Sequence, residues 1–498
     1  MLVRRKQIAP IIPTIKPAPL TMKGVANSGR KLITIIPSIL GFFIALYCFL
    51  SVKRGYDEYF ILTLVYLSTI LIIVQGINNY LIRKRKSWFQ IDIMFLIMFF
   101  FVHFWLWLAI HYKLTDFMWV SNSYLKNVNY SVALSLLGMT AFILGYNSAL
   151  ENHKASDTTL MAASHWKKTG YIIFYSGAIL TVLYAFYFGA QAFTGNYTGS
   201  AVGGLLTRSI YLLQGILLKL GILIILITHA DKNKIIPNCK LPIIILAVVL
   251  SMLLILGDRS EFIYTLSVVL FAYARFYKKI TLPVMVVGIM TIAFLMSVVQ
   301  VARTAKNRSL SELSDVMLSH SQDTSVLQGL NGISASAGVL LGGVTAIPEK
   351  YDYFMGELKI VELLGIVPYG RALLLDGDTI GKYGTSSQFL TWYMLGPDSK
   401  TGTGTTIVAD IYVDFGPIGV VLALFLLGYI ANYSYIKVDK SSSIMGAVVF
   451  CYFAGLLVMM PRYSFLMIIR GLIWPTIIMW LIKSLFISKT VREIGEIK

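Results

Sequence analysis

The sequence predicts an all-α integral membrane protein with about twelve transmembrane helices, both termini cytoplasmic, and one long extracytoplasmic loop between helices 9 and 10. Three observations predict it. About a dozen apolar runs of roughly 20 residues fill most of the chain, and a helix of that length crosses the roughly 30 Å hydrocarbon core. Composition agrees, because 57% hydrophobic and only 13% charged residues, with a mean hydropathy of +0.72, suit lipid better than water. Lys and Arg, finally, concentrate in alternate connections between the runs.

The first 31 residues hold seven Lys or Arg, and no small-residue cleavage pattern follows the first apolar run, so 1–31 reads as an uncleaved cytoplasmic tail. Nine spans then occupy 32–300, at 32–51, 58–82, 89–111, 130–151, 169–190, 205–229, 236–256, 260–277 and 279–300. A loop subdomain covers 301–406. The last three spans lie in 407–487, at 407–436, 443–460 and 463–487, before a cytoplasmic tail at 488–498. With the amino terminus inside, the inner connections hold Arg83-Lys84-Arg85-Lys86, Lys154 with Lys167-Lys168, and Lys232, Lys234 and Lys240. They also hold Arg275 with Lys278-Lys279, and Lys437 with Lys440. More than half of the 43 Lys and Arg lie on that side, the positive-inside pattern, which puts the long loop outside.

The same bias accounts for the net charge of +19. Nucleic acid is not implied as a partner, since no aromatic-interleaved basic strip or zinc spacing occurs. Cys48, Cys239 and Cys451 imply neither a disulfide framework nor a metal cluster. No phosphate-binding glycine loop, dinucleotide fingerprint or Ser-His-Asp signature is present, and no cofactor is implied. Within the long loop, the small-residue apolar stretch from Gly329 to Ile347 is too weakly hydrophobic for a span and reads as a re-entrant or interfacial segment.

Outer-face arginines are the first candidates for chemistry. Arg259 lies in the tight turn Leu256-Gly257-Asp258-Arg259-Ser260-Glu261. Arg303 and Arg308 begin the loop, Arg371 follows Gly370, Arg462 occupies the last outer turn, and Arg470 lies about two turns deeper. A membrane-embedded arginine costs about 2.5–3.5 kcal/mol on the insertion scale, so Arg470 calls for a polar cavity or a partner, as does Lys219 in the sixth span. Singly, such arginines are interfacial anchors that snorkel to headgroups. As a set they run against the topology bias and suit a pyrophosphate, whose oxygens guanidinium forks clamp bidentately.

The second candidate is the turn Thr401-Gly402-Thr403-Gly404-Thr405-Thr406 leading into a span that starts at the outer face. Gly404 allows close approach, Thr405 and Thr406 supply hydroxyls or a cap, and the helix N-terminus offers free N–H groups to an anion. Asp410 and Asp414, four apart, share one face of that helix and need cations, a cavity or a substrate hydroxyl; Arg462, Arg470 or Lys219 are the expected partners. His103 among Phe and Trp reads as packed rather than basic, His320 has no motif around it, and Asp376-Gly377-Asp378 reads as turn chemistry.

Together the lone arginine of Gly257–Glu261, the Gly370-Arg371 of the long loop, and Thr403-Gly404-Thr405 followed by Ile407, Asp410, Tyr412, Phe415-Gly416 and Gly419 resemble the Wzy-type oligosaccharide repeat-unit polymerases of bacteria. The resemblance covers topology over the full chain and sharper motifs only at Gly257–Glu261 and Gly402–Gly419. Many members place Glu where this chain has Asp410, and the two-big-loop layout of some members is absent.

The resemblance implies a metal-independent inverting glycosyltransferase, without cofactor, at the periplasmic face of the bacterial inner membrane. Its donor and acceptor would be undecaprenyl-pyrophosphate-linked oligosaccharides, and its products O-antigen, common antigen or capsule. Membrane lipids and a chain-length-regulating membrane protein are the further implied partners. By the same resemblance Arg259, Arg371 and Asp410 are the expected catalytic residues. Arg303, Arg462, Arg470, Gly404, Thr405 and Thr406 would then hold the pyrophosphate. An O-antigen ligase is the near alternative, although His320 has no Asn beside it. A twelve-helix lipid-oligosaccharide flippase is the alternative from another class, disfavoured by the single asymmetric loop.

Overall fold

A computed structural model describes residues 26–85, 87–115, 122–149, 163–188, 204–230, 235–255, 258–302, 326–367, 370, 384–399, 401–440 and 443–484. Among these residues the chain is helical, with no strand. The first long helices are α1 (Ala26–Leu50), α2 (Glu58–Ile77), α3 (Ile91–His103), α4 (Trp105–His111) and α5 (Val128–Ser148). They are followed by α6 (Ala163–Phe188), α7 (Gly204–Thr228), α8 (Ile235–Ile255), α9 (Arg259–Phe276) and α10 (Leu282–Ala302). The region expected as a loop contributes α11 (Val326–Ser334), α12 (Ala337–Ala346), α13 (Glu357–Leu364) and α14 (Ser386–Leu395), and the chain closes with α15 (Ile407–Lys440), α16 (Ile444–Met459) and α17 (Met467–Ile482).

Among the described residues, nine helices are long and apolar enough to cross a membrane, or ten if α3 and α4, bent by 49°, form one span. The spans expected at 236–256, 260–277 and 463–487 are helices too. In α8 the helical run is interrupted at Cys239 and α17 is only 16 residues long, while α9 carries Arg259, Glu261 and Arg275. One of the nine was not expected as a span: Val326–Ala346, formed by α11 and α12, lies mostly buried inside the bundle. Its small residues explain both facts. They lower its hydropathy to 1.2, and they let it approach α10 so closely that a Cβ on Gly329 would overlap the Ala293 carbonyl oxygen.

The core forms where apolar helix faces meet without lipid between them. α5 is enclosed by α1, α2 and α15, and α16 by α9, α7 and α3. Lipid-facing side chains such as Phe186 and Tyr187 on α6 stay exposed, because lipid removes the penalty that water would impose. α5 and α15 run in the same direction: Gly138 meets Leu424, Gly145 meets Phe425, and the Asn432 amide donates to the Tyr146 carbonyl at 2.7 Å. α9 and α16 run oppositely, with Gly455 against Val268 and Arg275 beside Tyr435, whose ring packs on Phe450.

These directions define two ends of the bundle. At one end Arg85 donates to Asn432 at 2.9 Å and lies 4.0 Å from the Tyr435 ring, with Arg275 5.1 Å from the same ring. At the opposite end Asp57 caps α2 by accepting from Phe60 N at 3.1 Å, the Asn129 amide oxygen accepts from Asp57 N at 2.9 Å, and Glu349 pairs with both Arg54 and Lys126. The N-terminus of α9 and the C-terminus of α16 lie at this second end.

Candidate active site

α15 is not one continuous helix. Gly416 takes φ 65° and ψ −163°, a region open essentially to glycine, and Pro417 follows as a first residue of a new helical run. A helix broken inside a bundle leaves carbonyls without partners, and here neighbouring chain supplies the donors. Phe354 N donates to Val413 O at 3.1 Å and Met355 N to Asp414 O at 3.0 Å, while the Tyr353 ring packs against Gly416. Gly356, with φ 96°, turns the chain into α13 and donates its N–H to Asp414 Oδ1 at 3.1 Å.

This turn delivers Lys359 to the two acids. Its ammonium lies 2.7 Å from Asp410 Oδ1, 2.8 Å from Asp414 Oδ2 and 2.9 Å from the Asp410 carbonyl oxygen. Both aspartates are fully enclosed and Lys359 nearly so. Burial alone would lower the Lys359 ammonium, but the carboxylates of Asp410 and Asp414 outweigh it and hold it above its ordinary value. Asp410 has further donors: the Ser386 hydroxyl bonds Oδ1, and Phe465 N donates to Oδ2 at 2.8 Å. Ser464, next in the same turn, donates to Glu362 of α13.

The expected partner of the acids was Arg462, Arg470 or Lys219; the structure gives Lys359 instead. Lys219 is satisfied elsewhere, paired with Glu261 and 4.9 Å from the Tyr264 ring. A compact ammonium brings one nitrogen within 2.9 Å of three oxygens, donating to two of Asp410 and pairing with Asp414, which a planar guanidinium would not match. Nothing local in the sequence points to Lys359, which lies 51 residues from Asp410, in the expected loop subdomain, with no spacing that links them. Gly416-Pro417 marks the break in the sequence, inside the span expected at 407–436.

The other expected residues fall into three groups. Arg259 opens α9 half-buried, beside Asp258, which caps that helix through Glu261 N at 3.1 Å and accepts from the Tyr211 hydroxyl at 2.7 Å. Arg462 is exposed in the turn that ends α16, and Arg470 is exposed in the first turn of α17. The antiparallel packing of α9 on α16 brings Arg259 and Arg462 to the same end of the bundle, and Phe465, the Asp410 donor, follows Arg462 by three residues. Gly404 adopts φ 75°, Thr405 and Thr406 are buried, and the Thr406 hydroxyl caps α15 by accepting from Ala409 N at 3.1 Å. Arg303, Arg308, His320, Arg371 and Asp376-Gly377-Asp378 lie outside the described residues. His103 packs its ring 4.3 Å from that of Phe99. No group of three or more His, Cys, Asp or Glu among the described residues is arranged to hold a metal ion.

The bundle holds a broken helix with a buried acid pair, and comparison with known families says which group of proteins it belongs to. The family model described as O-antigen polysaccharide polymerase Wzy matches residues 33–492, nearly the entire chain. The chain belongs to the Wzy family. This Wzy protein is therefore a multi-pass membrane protein of polysaccharide biosynthesis, a glycosyltransferase-type enzyme with the general role of O-antigen polymerase, acting on polyprenyl-linked oligosaccharides. No curated protein and no solved structure matches it.

Proposed function

We propose that this Wzy protein joins undecaprenyl-pyrophosphate-linked repeat units into surface polysaccharide by inverting, metal-independent glycosyl transfer at the extracytoplasmic face of the inner membrane. A hydroxyl of the incoming unit attacks the anomeric carbon of the growing glycan. The new C–O bond forms as the bond to the pyrophosphate breaks; the lipid pyrophosphate leaves with the electron pair, and the proton of the hydroxyl passes through solvent to the released pyrophosphate. Negative charge grows on the departing phosphate oxygen, so preplaced guanidinium groups lower the barrier. Arg259, Arg371, Arg462 and Arg470, with Arg303, are the groups proposed for that duty, and Gly404, Thr405 and Thr406 are proposed to bind the same pyrophosphate.

The observation that carries this is the match to the polymerase family over residues 33–492, and the common end of Arg259 and Arg462 supports it. The opposite end, with Arg85 and Arg275, suits the basic cytoplasmic side. Asp410 has every carboxylate oxygen engaged and no exposure, which favours positioning over base duty. A gel ladder of surface glycan from a deletion strain tests the function. Glycan of one repeat, restored to long chains by the intact gene, is the expected result. Absence of all glycan from lipid A would indicate a ligase, and accumulation on the cytoplasmic leaflet a flippase.

A further inference from the structure

α13 is only eight residues long, yet it is tied on two sides. Lys359 and Glu362, three positions apart, share one helical face, and both are buried at 8% exposure. Lys359 donates to the carbonyl and carboxylate oxygens of Asp410 and forms an ion pair with Asp414 of the broken helix, and Glu362 receives the Ser464 hydroxyl of the turn between Arg462 and Arg470. Asp410 closes the circuit by accepting from Phe465 N in that same turn and from Ser386 of α14. Four separate segments thus converge on one carboxylate and one short helix.

We propose that Lys359, with Glu362, is the positioning element of the polymerisation site: it sets the Arg462–Arg470 turn at a fixed place relative to the break at Gly416. This rests on the polymerase function proposed above. Buried ionic groups are poor glue, since apolar side chains of similar volume often stabilise as well or better, but they select one arrangement among several. A clamp on a leaving pyrophosphate needs that selection, because its contribution depends on where charge develops rather than on how tightly substrate binds. Displaced arginines would therefore slow turnover and leave substrate affinity nearly intact.

The test uses full-length protein in nanodiscs with a lipid-linked repeat unit as substrate, measuring kcat, KM and thermal unfolding together. Lys359→Arg keeps the charge but cannot set one nitrogen against all three oxygens of Asp410 and Asp414; the expected result is a folded protein with kcat down at least about tenfold and KM little changed. Lys359→Met with Asp414→Asn removes one charge of each sign; unfolding temperature is expected to approach wild type while kcat stays at least about tenfold down. Ser464→Ala cuts the second tie and is expected to lower kcat without loss of fold. Recovery of wild-type kcat together with stability in the double variant would reduce Lys359 to a charge balance and overturn the proposal, as would wild-type kcat in Lys359→Arg. If intact protein extends no glycan at all, the polymerase function itself falls and takes this role with it.

Discussion

Gly145 of α5 lies directly against the backbone of Phe425 in α15, so closely that a Cβ on Gly145 would overlap the Phe425 carbonyl oxygen. One turn further along, Gly428 meets the Phe142 carbonyl in the same way. In lipid, where apolar side chains gain nothing by leaving the solvent, this backbone proximity is a main source of helix–helix attraction. Gly145→Val and Gly428→Val are therefore expected to abolish the monodisperse peak in fluorescence-detected size exclusion. Gly288→Ala, at a helical glycine with nothing within 4 Å, should leave that peak unchanged.

Gly416→Ala places a Cβ on a backbone with φ 65°, about 3.1 Å from the Tyr353 ring. A non-glycine residue there costs on the order of 1–3 kcal/mol. The expected outcome is a thermal unfolding temperature lowered by several degrees and shortened surface glycan. Unfolding and a glycan ladder identical to wild type would show that the break does not need glycine.

Asp410→Asn is expected to cost more activity than Asp414→Asn. Asp410 serves Lys359, Ser386 and Phe465 N, whereas Asp414 serves Lys359 and Gly356 N. Removing one member of a buried ionic group typically costs about 3–5 kcal/mol, so both variants should also lose stability. Glycan ladders normalised to membrane-inserted protein decide the order; equal ladders would remove Asp410's special position.

Arg259→Ala and Arg371→Ala should each abolish long glycan while the protein still inserts. Lost guanidinium contacts to a charged transition state typically cost about 10²-fold or more in rate. Normal chain-length ladders from both variants would dismiss the arginine clamp.

Glu349 gives a pH-dependent contact outside the spans. The hydrogen bond from Lys126, with that from Arg54, holds its carboxyl below the usual carboxylate range. A carboxyl lowered on folding adds stability above its unfolded pKa and loses it as pH falls through the lowered folded value. Lowering the pH through that lowered value should thus release the Arg54–Glu349–Lys126 contact. Glu349→Gln should remove this component of acid sensitivity and change pH 7 stability little, because the group is largely solvated.

Much of the helical layout was legible because hydropathy reports directly on which runs suit lipid. Spans such as 58–82 and 282–299 need nothing beyond their own apolar length. Val326–Ala346 was illegible as a span because its fitness lies in smallness, Gly329 fitting against Ala293, and hydropathy scores smallness as weakness. At the site, Asp410 and Asp414 announced that a cation was required, since a bare carboxylate in lipid is too costly. Which cation depended on a turn through Gly356 that brings a remote lysine home, and pairing over 51 residues leaves no local pattern.

The interruption at Gly416 also insulates phase. Adding one residue between Ile407 and Asp410 would swing both carboxylates by about 100° away from their lysine. Beyond Pro417 the backbone is anchored independently along α5, so those later turns would keep their rotation. Length changes in the short arm are consequently felt as chemistry, while the long arm continues undisturbed.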